Sequence, residues 1–286
     1  MPKLENFESK DPIAWCPGCG NFGILAALKQ ALVNLKLEPY QVLMVSGIGQ
    51  AAKLPHYLKC NTFNGLHGRV LPVATAAKIA NHKLTVIGVS GDGDAYGEGG
   101  NHFLHALRRN IDITYLVHNN LVYGLTKGQA SPTSNLGFVT RTTPFGVLSP
   151  PINPLTLAII MNVGFVARGF AGDIPHLTQL INSAIRHKGF SLVDILQPCV
   201  TFNKEYSSKW YKYRIYNINE NPKYDPYNQS MALQKTVEWG ERIPLGIFYL
   251  SNRKGFIEQL PQLKEMPLVE QKIARDKFKK LLEEFY

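Results

Sequence analysis

The chain has 286 residues, 45% of them hydrophobic, and a formal net charge of +10. That is enough apolar material for a substantial core, near the upper size for one core with embellishments. No apolar run approaches the roughly 20 residues that a bilayer-spanning helix needs; the best candidates, 155–161 and 245–250, fall far short. Lys and Arg are scattered without a recognised nucleic-acid motif, so neither nucleic acid nor membrane is an expected partner. A basic surface that attracts an acidic protein fits better, because complementary fields speed encounter. Solubility, or balance against an acidic partner subunit, would explain the charge equally well. The amino terminus, from Met1 to Glu8, lacks the basic-then-apolar pattern of an export signal. With only four cysteines, two of them as Cys-x-x-Cys, the expected location is the reducing cytoplasm.

In chain order, the pattern predicts a helix over 20–34, a strand over 41–46, a helix over 71–81 and a strand over 84–90. It continues with a helix over 99–109, a strand over 113–118, a helix over 154–161, a strand over 165–168, a helix over 174–187 and a strand over 191–196. Such alternation indicates an α/β fold: a mostly parallel, twisted sheet with helices on both faces. Ligands of such sheets bind beyond the carboxyl ends of the strands, where Gly47, Gly91 and Asn120 are all expected. Between Asn120 and Pro154 the chain is rich in Gly, Ser, Thr and Pro, which suits a structured active-site loop. Residues 1–199 are therefore expected to form one cofactor-binding domain. Residues 200–286, aromatic and proline-rich around Trp210–Tyr216 and Asn221–Tyr227, are expected to form a C-terminal arm. It ends in an amphipathic docking helix over 268–285, with Leu268, Ile273, Phe278, Leu281, Leu282 and Phe285 apolar.

Two constellations carry chemistry. The first is Ser90-Gly91-Asp92-Gly93-Asp94, directly after the apolar run 84–89, followed 25 residues later by Asn119-Asn120 at the end of a second apolar run. A carboxylate on one strand end and an amide oxygen on another are hard ligands for a magnesium ion that keeps its phosphate partners. Glycines let the backbone approach a diphosphate closely. Either half alone is ordinary turn chemistry; the pairing at this spacing is not. Gly47-Ile48-Gly49-Gln50-Ala51-Ala52 formally fits a dinucleotide fingerprint, but no acidic residue follows at the required distance, where Leu66-His67-Gly68-Arg69 stands instead. No Gly-Lys-Ser/Thr phosphate loop is present.

The second constellation is Trp15-Cys16-Pro17-Gly18-Cys19-Gly20, with Cys60 and Cys199 far away in sequence. A Cys-x-x-Cys pair suits structural zinc, a redox dithiol or an iron–sulfur cluster. Zinc usually shows a second close pair, which this chain lacks, and a dithiol expects a thioredoxin-like strand–helix context; taken alone, the isolated pair favours zinc or plain structure.

Taken with their neighbours, these motifs resemble the thiamine-diphosphate-binding β subunit of the archaeal-type 2-oxoacid:ferredoxin oxidoreductases. The resemblance runs through Trp15 to Gly23, Ser46 to Gly49, Lys53-x-Pro55-His56, Leu66 to Thr75, Gly91 to Asp94, Val122 to Thr133, Phe165 to Gly169 and Leu196 to Cys199, in order. It covers roughly residues 12–250. It implies the thiamine diphosphate fold, with Mg2+ held by the side chains of Asp92 and Asn120 and by the carbonyl of Val122. The cofactor would be lined by Ile48, Gly49, His67, Gly91, Gly93, Asp94, Gly124, Leu125 and Thr126, with His67 donating to a diphosphate oxygen. Lys53 and Lys127 would meet the substrate carboxylate or coenzyme A, and Leu125 would lie near the reacting carbon.

The resemblance also implies a 4Fe-4S cluster on Cys16, Cys19, Cys199 and a cysteine directly after Gly-Ile-Gly. This chain departs from that pattern, because Gln50 stands there. Cys60 lies ten residues downstream; a helical path over that interval rises about 15 Å, so Cys60 cannot simply take the place of Gln50. Three outcomes stay open: a rebuilt loop that brings Cys60 in, a cluster on three cysteines plus water or a weak side-chain ligand, or no cluster. The implied reaction is oxidative decarboxylation of a 2-oxoacid with coenzyme A, giving acyl-CoA and CO2, with electrons passing through the cluster to ferredoxin. A larger α subunit would supply the pyrimidine-side domain and its glutamate. The alternatives are a non-oxidative thiamine-dependent decarboxylase or synthase subunit, and a zinc-stabilised binding subunit.

Overall fold

Short runs of β-branched and aromatic residues bounded by glycine and polar turns form the strands of a single sheet. The computed structural model describes residues 1–272 and 275–285. Its strands are β1 (Val42–Ser46), β2 (Asn61–Asn64), β3 (Thr85–Gly91), β4 (Thr114–Asn119), β5 (Phe165–Phe170), β6 (Ser191–Leu196), β7 (Ile215–Asn217) and β8 (Ile243–Leu250). Their order across the sheet is β2-β1-β3-β4-β6-β5-β8-β7. Every pairing is parallel except that of β5 with β8. The expected α/β sheet is the observed one.

Alternation along each strand divides the core. Met44, Ile87, Val89, Leu116, Ala167, Val193 and Ile195 face one side, packed with the helices α1 (Asn21–Asn34) and α5 (Ile174–Arg186). Val45, Val86, Tyr115, Val117, Val166 and Leu192 face the other, under α2 (Val70–Ala80), α3 (Gly100–Arg109) and α4 (Pro154–Ile160). A strand buried on both faces reads as a continuous apolar run, as the central strands of parallel sheets do. Helix starts follow local chemistry. Asn153 and Asp173 accept backbone N–H groups of Thr156 and His176, and a proline occupies the first turn of both α4 and α5.

Three features depart from the sequence reading. Strand β2 was not visible, because all four of its residues are exposed and an edge strand has no buried face to pattern. Strands β7 and β8 lie after residue 200 yet extend the same sheet, so the segment expected as an arm is continuous with the core over much of its length. Between them runs α7 (Gln229–Thr236), and before them α6 (Ser208–Lys212). Pro244 is tolerated because β8 pairs with β5 only from Gly246 onward. The expected terminal helix is shorter: Leu268–Glu270 is a separate 3-10 turn and α8 spans Arg275–Glu283, while Ile273 lies outside the described residues. Phe278, Leu281, Leu282 and Phe285 are exposed. Among the described residues no helix is long and apolar enough to cross a membrane.

Candidate active site and cysteine cavity

The chain runs from β1 to β2 on one side and then to β3 on the other, so the connections diverge between β1 and β3. Such a switch point opens a crevice at the carboxyl ends of the strands. Three loops line the cavity found there. Ile48, Gly49, Gln50 and Ala51 follow β1; Gly91, Asp92, Gly93 and Asp94 end β3 and begin the next turn; Asn120, Val122, Tyr123, Gly124, Leu125 and Thr126 follow β4. His67, His118 and Gln197 complete the wall. The residues read as magnesium and diphosphate ligands are thus together. Lys53 and Lys127 are not part of this lining, and Leu125 stands at its rim, 43% exposed.

The two aspartates of the first motif do different things. Asp92 is 1% exposed, and its Oδ2 accepts hydrogen bonds from Ser131 Oγ at 2.6 Å and Thr133 Oγ1 at 2.5 Å. Burial pushes its carboxyl up to about 6, with buried Asp194 adding to the rise and the two hydroxyls opposing it. A divalent cation would offset that burial cost, so this is a carboxylate suited to a metal. Asp94 is a tie between loops. Its Oδ1 accepts from Gly68 N at 2.7 Å and Ile48 N at 3.2 Å and contacts His67 Nδ1 at 2.6 Å, while Oδ2 accepts from Ser90 Oγ at 2.6 Å. His67 is therefore oriented by Asp94, with its other nitrogen 3.4 Å from Glu98 Oε2.

Between the aspartates the chain enters a π-helical turn, Gly93–Glu98, a form that recurs at functional sites. Gly93 is required by its neighbour, since a Cβ there would lie 2.1 Å from the Tyr123 ring.

The asparagines are also distinct. Asn119 Oδ1 accepts from Thr133 Oγ1 at 3.0 Å, and Asn119 Nδ2 donates to both oxygens of Asp194 at 3.2 Å. Asp194, raised by burial and held down by Arg168, also accepts from Tyr96. Asn119 thus braces the Asp92 platform from behind. Asn120 Oδ1 accepts from Val122 N at 3.1 Å and keeps a lone pair for a cation. Between them Leu121 has φ +61 while only 4% exposed. A left-handed leucine costs on the order of 1–3 kcal/mol and persists only when surroundings over-determine it. They do: Leu121 N donates to Asn119 Oδ1 and Ser134 Oγ donates to Leu121 O.

A second cavity lies alongside, lined by Trp15, Cys16, Cys19, Asn21, Cys199, Val200, Thr201 and Phe202, with Gln50, Asn120, Gly124 and Gln197. Those last four also line the first cavity. Each of its three sulfurs accepts a hydrogen bond: Cys19 from Gln197 Nε2 at 3.2 Å, Cys16 from Thr201 Oγ1 at 3.3 Å, and Cys199 from Phe202 N at 3.4 Å. Burial raises the Cys19 thiol, opposed by the backbone of Asn21, while Cys199 and Cys16 add to the rise. Among the described residues, no three His, Cys, Asp or Glu side chains are gathered closely enough for a single ion. Three soft sulfurs around a cavity instead fit a larger iron–sulfur unit, one ligand short.

Cys60 is elsewhere. It precedes β2, whose first residue pairs with Leu43 near the start of β1, whereas Gln50 follows the far end of β1. Strand polarity therefore separates them by the length of the strand, and the residues between form a 3-10 turn, Ala51–Tyr57, with no rebuilt loop. The Cys60 thiol donates to Asn61 O at 3.3 Å, and burial pushes it up to about 12.

A family profile described as "Thiamine pyrophosphate enzyme, C-terminal TPP binding domain" matches residues 42–195. A second, for the C-terminal part of the pyruvate ferredoxin oxidoreductase beta subunit, matches residues 199–265. The chain is 47% identical over 256 residues to the 2-oxoacid:ferredoxin oxidoreductase subunit beta of Saccharolobus solfataricus, covering 86% of this chain and 84% of that one. It belongs to the 2-oxoacid:ferredoxin oxidoreductase β-subunit family. Subunit beta of 2-oxoacid:ferredoxin oxidoreductase 1 of Aeropyrum pernix is 45% identical over 254 residues, covering 86% of this β subunit and 80% of that chain. The solved 2-oxoglutarate:ferredoxin oxidoreductase of Magnetococcus marinus, with 2-oxoglutarate, coenzyme A and succinyl-CoA bound, superposes with a TM-score of 0.91 at 33% identity, over 98% of this β subunit and 96% of that chain. The thiamine-binding domain is thus a family property of this β subunit, and a partner α subunit is implied.

Several supporting residues of the β subunit escaped the sequence reading. Ser131 and Thr133 were visible only as part of the Val122–Thr133 resemblance; their spacing to Asp92 signals nothing. His118, pushed down to about 3 by burial, contacts Asn21 Oδ1 through Nδ1 at 2.8 Å and so links the end of β4 to the first residue of α1. No local pattern announces such a pair, 97 residues apart.

Proposed function

We propose that this β subunit holds thiamine diphosphate and Mg2+ beside an iron–sulfur cluster, in an enzyme that oxidatively decarboxylates a 2-oxoacid. The acyl group passes to coenzyme A and the electrons to ferredoxin. The observation that carries this reading is the common wall: Gln50, Asn120, Gly124 and Gln197 line both cavities, so a thiamine group and a cluster would be separated by little more than a side chain. Asp92, Asn120 and the carbonyl of Val122 would hold the cation, which in turn clamps the diphosphate. When bound, thiamine diphosphate supplies the carbanion chemistry, while the protein supplies orientation and electrostatics.

The roles of this chain's residues follow from their contacts. Ser131 and Thr133 fix the Asp92 carboxylate before the cation arrives. Asp94 holds the Ile48 and Gly68 backbones in register, and His67 Nε2, 3.4 Å from Glu98 Oε2, would turn from that carboxylate to reach a diphosphate oxygen. Leu125, at the rim, would shape the substrate pocket, and Lys53 and Lys127, outside the lining, would meet a substrate carboxylate or coenzyme A only where these extend beyond it. The net charge of +10 supports docking of an acidic carrier such as ferredoxin. The cytoplasm is the matching location.

Activity should require the α subunit, because the acidic group that activates the aminopyrimidine must come from another domain. The test is to purify the assembled complex anaerobically, analyse it for thiamine diphosphate, magnesium, iron and sulfide, and assay ferredoxin reduction with a panel of 2-oxoacids. Reduction that needs both coenzyme A and the α subunit is the expected result. Carbon dioxide release without iron or ferredoxin reduction would establish the non-oxidative alternative, and zinc without thiamine would establish a binding subunit.

A further inference from the structure

Three sulfurs line the cysteine cavity, and on the wall it shares with the thiamine side stands an oxygen without a partner. Gln50 is part of that wall, and its Oε1 is buried with no hydrogen-bond partner. A buried amide oxygen without a partner is costly to leave so, and in a native protein it is open to a water or a ligand. The backbone that aims this side chain is fixed on both sides. Gly49 turns the chain at φ +123, a conformation closed to ordinary residues, and Gln50 O accepts from Trp15 Nε1 at 2.8 Å and from Lys53 N at 3.4 Å. Trp15 adjoins Cys16, so the Cys-x-x-Cys turn and the Gln50 loop are tied directly to each other. The remaining thiol, Cys60, lies near the opposite end of β1.

We infer that the cluster of this β subunit is anchored by Cys16, Cys19 and Cys199 alone, and that its fourth iron faces the Gln50 amide, a neutral oxygen in place of an anionic thiolate. The inference rests on the cluster reading proposed above and specifies its ligand set. Iron–sulfur centres prefer soft thiolates, and an amide oxygen is a weak substitute. The fourth iron is therefore distinct from the other three and exchangeable. On treatment with ferricyanide the cluster gives one electron to the oxidant and releases that iron as the divalent ion; three irons and four sulfides remain on three thiolates. With one anionic ligand fewer, the intact cluster also has a higher reduction potential than an all-cysteine site in the same cavity.

The experiment compares the anaerobically assembled α–β complex as wild type, Gln50→Cys and Cys60→Ala. Iron and sulfide content, Mössbauer spectra and EPR spectra are recorded before and after ferricyanide, together with a redox titration. In wild type and Cys60→Ala, one iron should differ from three in the Mössbauer spectrum, and ferricyanide should yield the EPR signal of a three-iron cluster. Gln50→Cys should show four alike irons, resist conversion and titrate at a lower potential. Four alike irons in the wild type, or loss of iron in Cys60→Ala, would overturn the assignment of Gln50 while leaving the enzyme reading intact. Wild-type complex that holds thiamine diphosphate but neither iron nor sulfide would overturn the cluster reading itself. Should Gln50→Cys fail to assemble, the wild-type Mössbauer spectrum decides alone.

Discussion

The two cavities share a wall but are built on opposite principles. On the thiamine side the carboxylates and the amide behind them are already paired: Asp92 by two hydroxyls, Asp94 by two backbone amides, a hydroxyl and an imidazole, Asn119 by Thr133 and Asp194. On the cysteine side the sulfurs have only long contacts of 3.2–3.4 Å, and the amide oxygen of Gln50 has none. The first is preorganised for a cofactor held by many weak, directional bonds. The second would be completed by the cluster proposed above, whose metal–sulfur bonds would supply the order that hydrogen bonds supply across the wall.

The largest expected effect breaks the first side at its centre. Asp92→Asn should abolish retention of thiamine diphosphate by the assembled complex, measured by cofactor analysis after desalting. It should also stabilise the metal-free protein. Asp92 is raised to about 6 in the fold, above its ordinary unfolded value of about 3.9, so the folded form binds this proton more tightly. Its ionisation therefore destabilises the metal-free fold increasingly as pH rises through about 4 to 6. Melting curves of the metal-free complex should show this window in wild type and lose it in Asp92→Asn, a gain of up to about 3 kcal/mol at neutral pH. Equal pH dependence in the two proteins would place the strain elsewhere.

A smaller effect comes from the second row of the same side. Thr133→Val removes the one hydroxyl that Asp92 and Asn119 share while keeping the volume. Cofactor affinity should fall about tenfold, the lower end of the roughly 1.5–3 kcal/mol of a hydrogen bond to a charged group, with iron content unchanged. If iron falls in parallel, the two sides are less independent than their contacts indicate.

The smallest effect lies on the cysteine side. Gln197→Leu deletes the donor to Cys19 Sγ. Hydrogen bonds to cluster sulfurs favour the reduced, more negative state, so the variant should keep its iron but titrate at a lower potential, followed by EPR. An unshifted potential would make Gln197 a packing residue only.

The same contrast explains what was legible in the sequence. The central strands announce themselves because β-branched runs end in Gly-Asp-Gly and Asn-Asn, and those ends are where a parallel sheet binds ligands. The proposed metal ligands follow from residue type and spacing. Edge strand β2 stayed hidden because nothing in Asn61–Asn64 is buried, and β8 because Pro244 and Gly246 interrupt its pattern. Ser131, Thr133, His118 and Gln197 act through contacts across long intervals of chain, which no local window records. Gln50 stood out as a departure from the family pattern, but only the fold showed that Cys60 sits at the wrong end of β1 to replace it.

The shared partition has a practical consequence for anyone wishing to redirect substrate choice. Because Gln50, Asn120, Gly124 and Gln197 bound both chambers, altering any of them to admit a different acid would also reshape the chamber proposed for the electron carrier. A mutant library aimed at new oxoacids is better confined to the outer lip around Leu125 and Thr126, where side chains can be exchanged without disturbing the wiring.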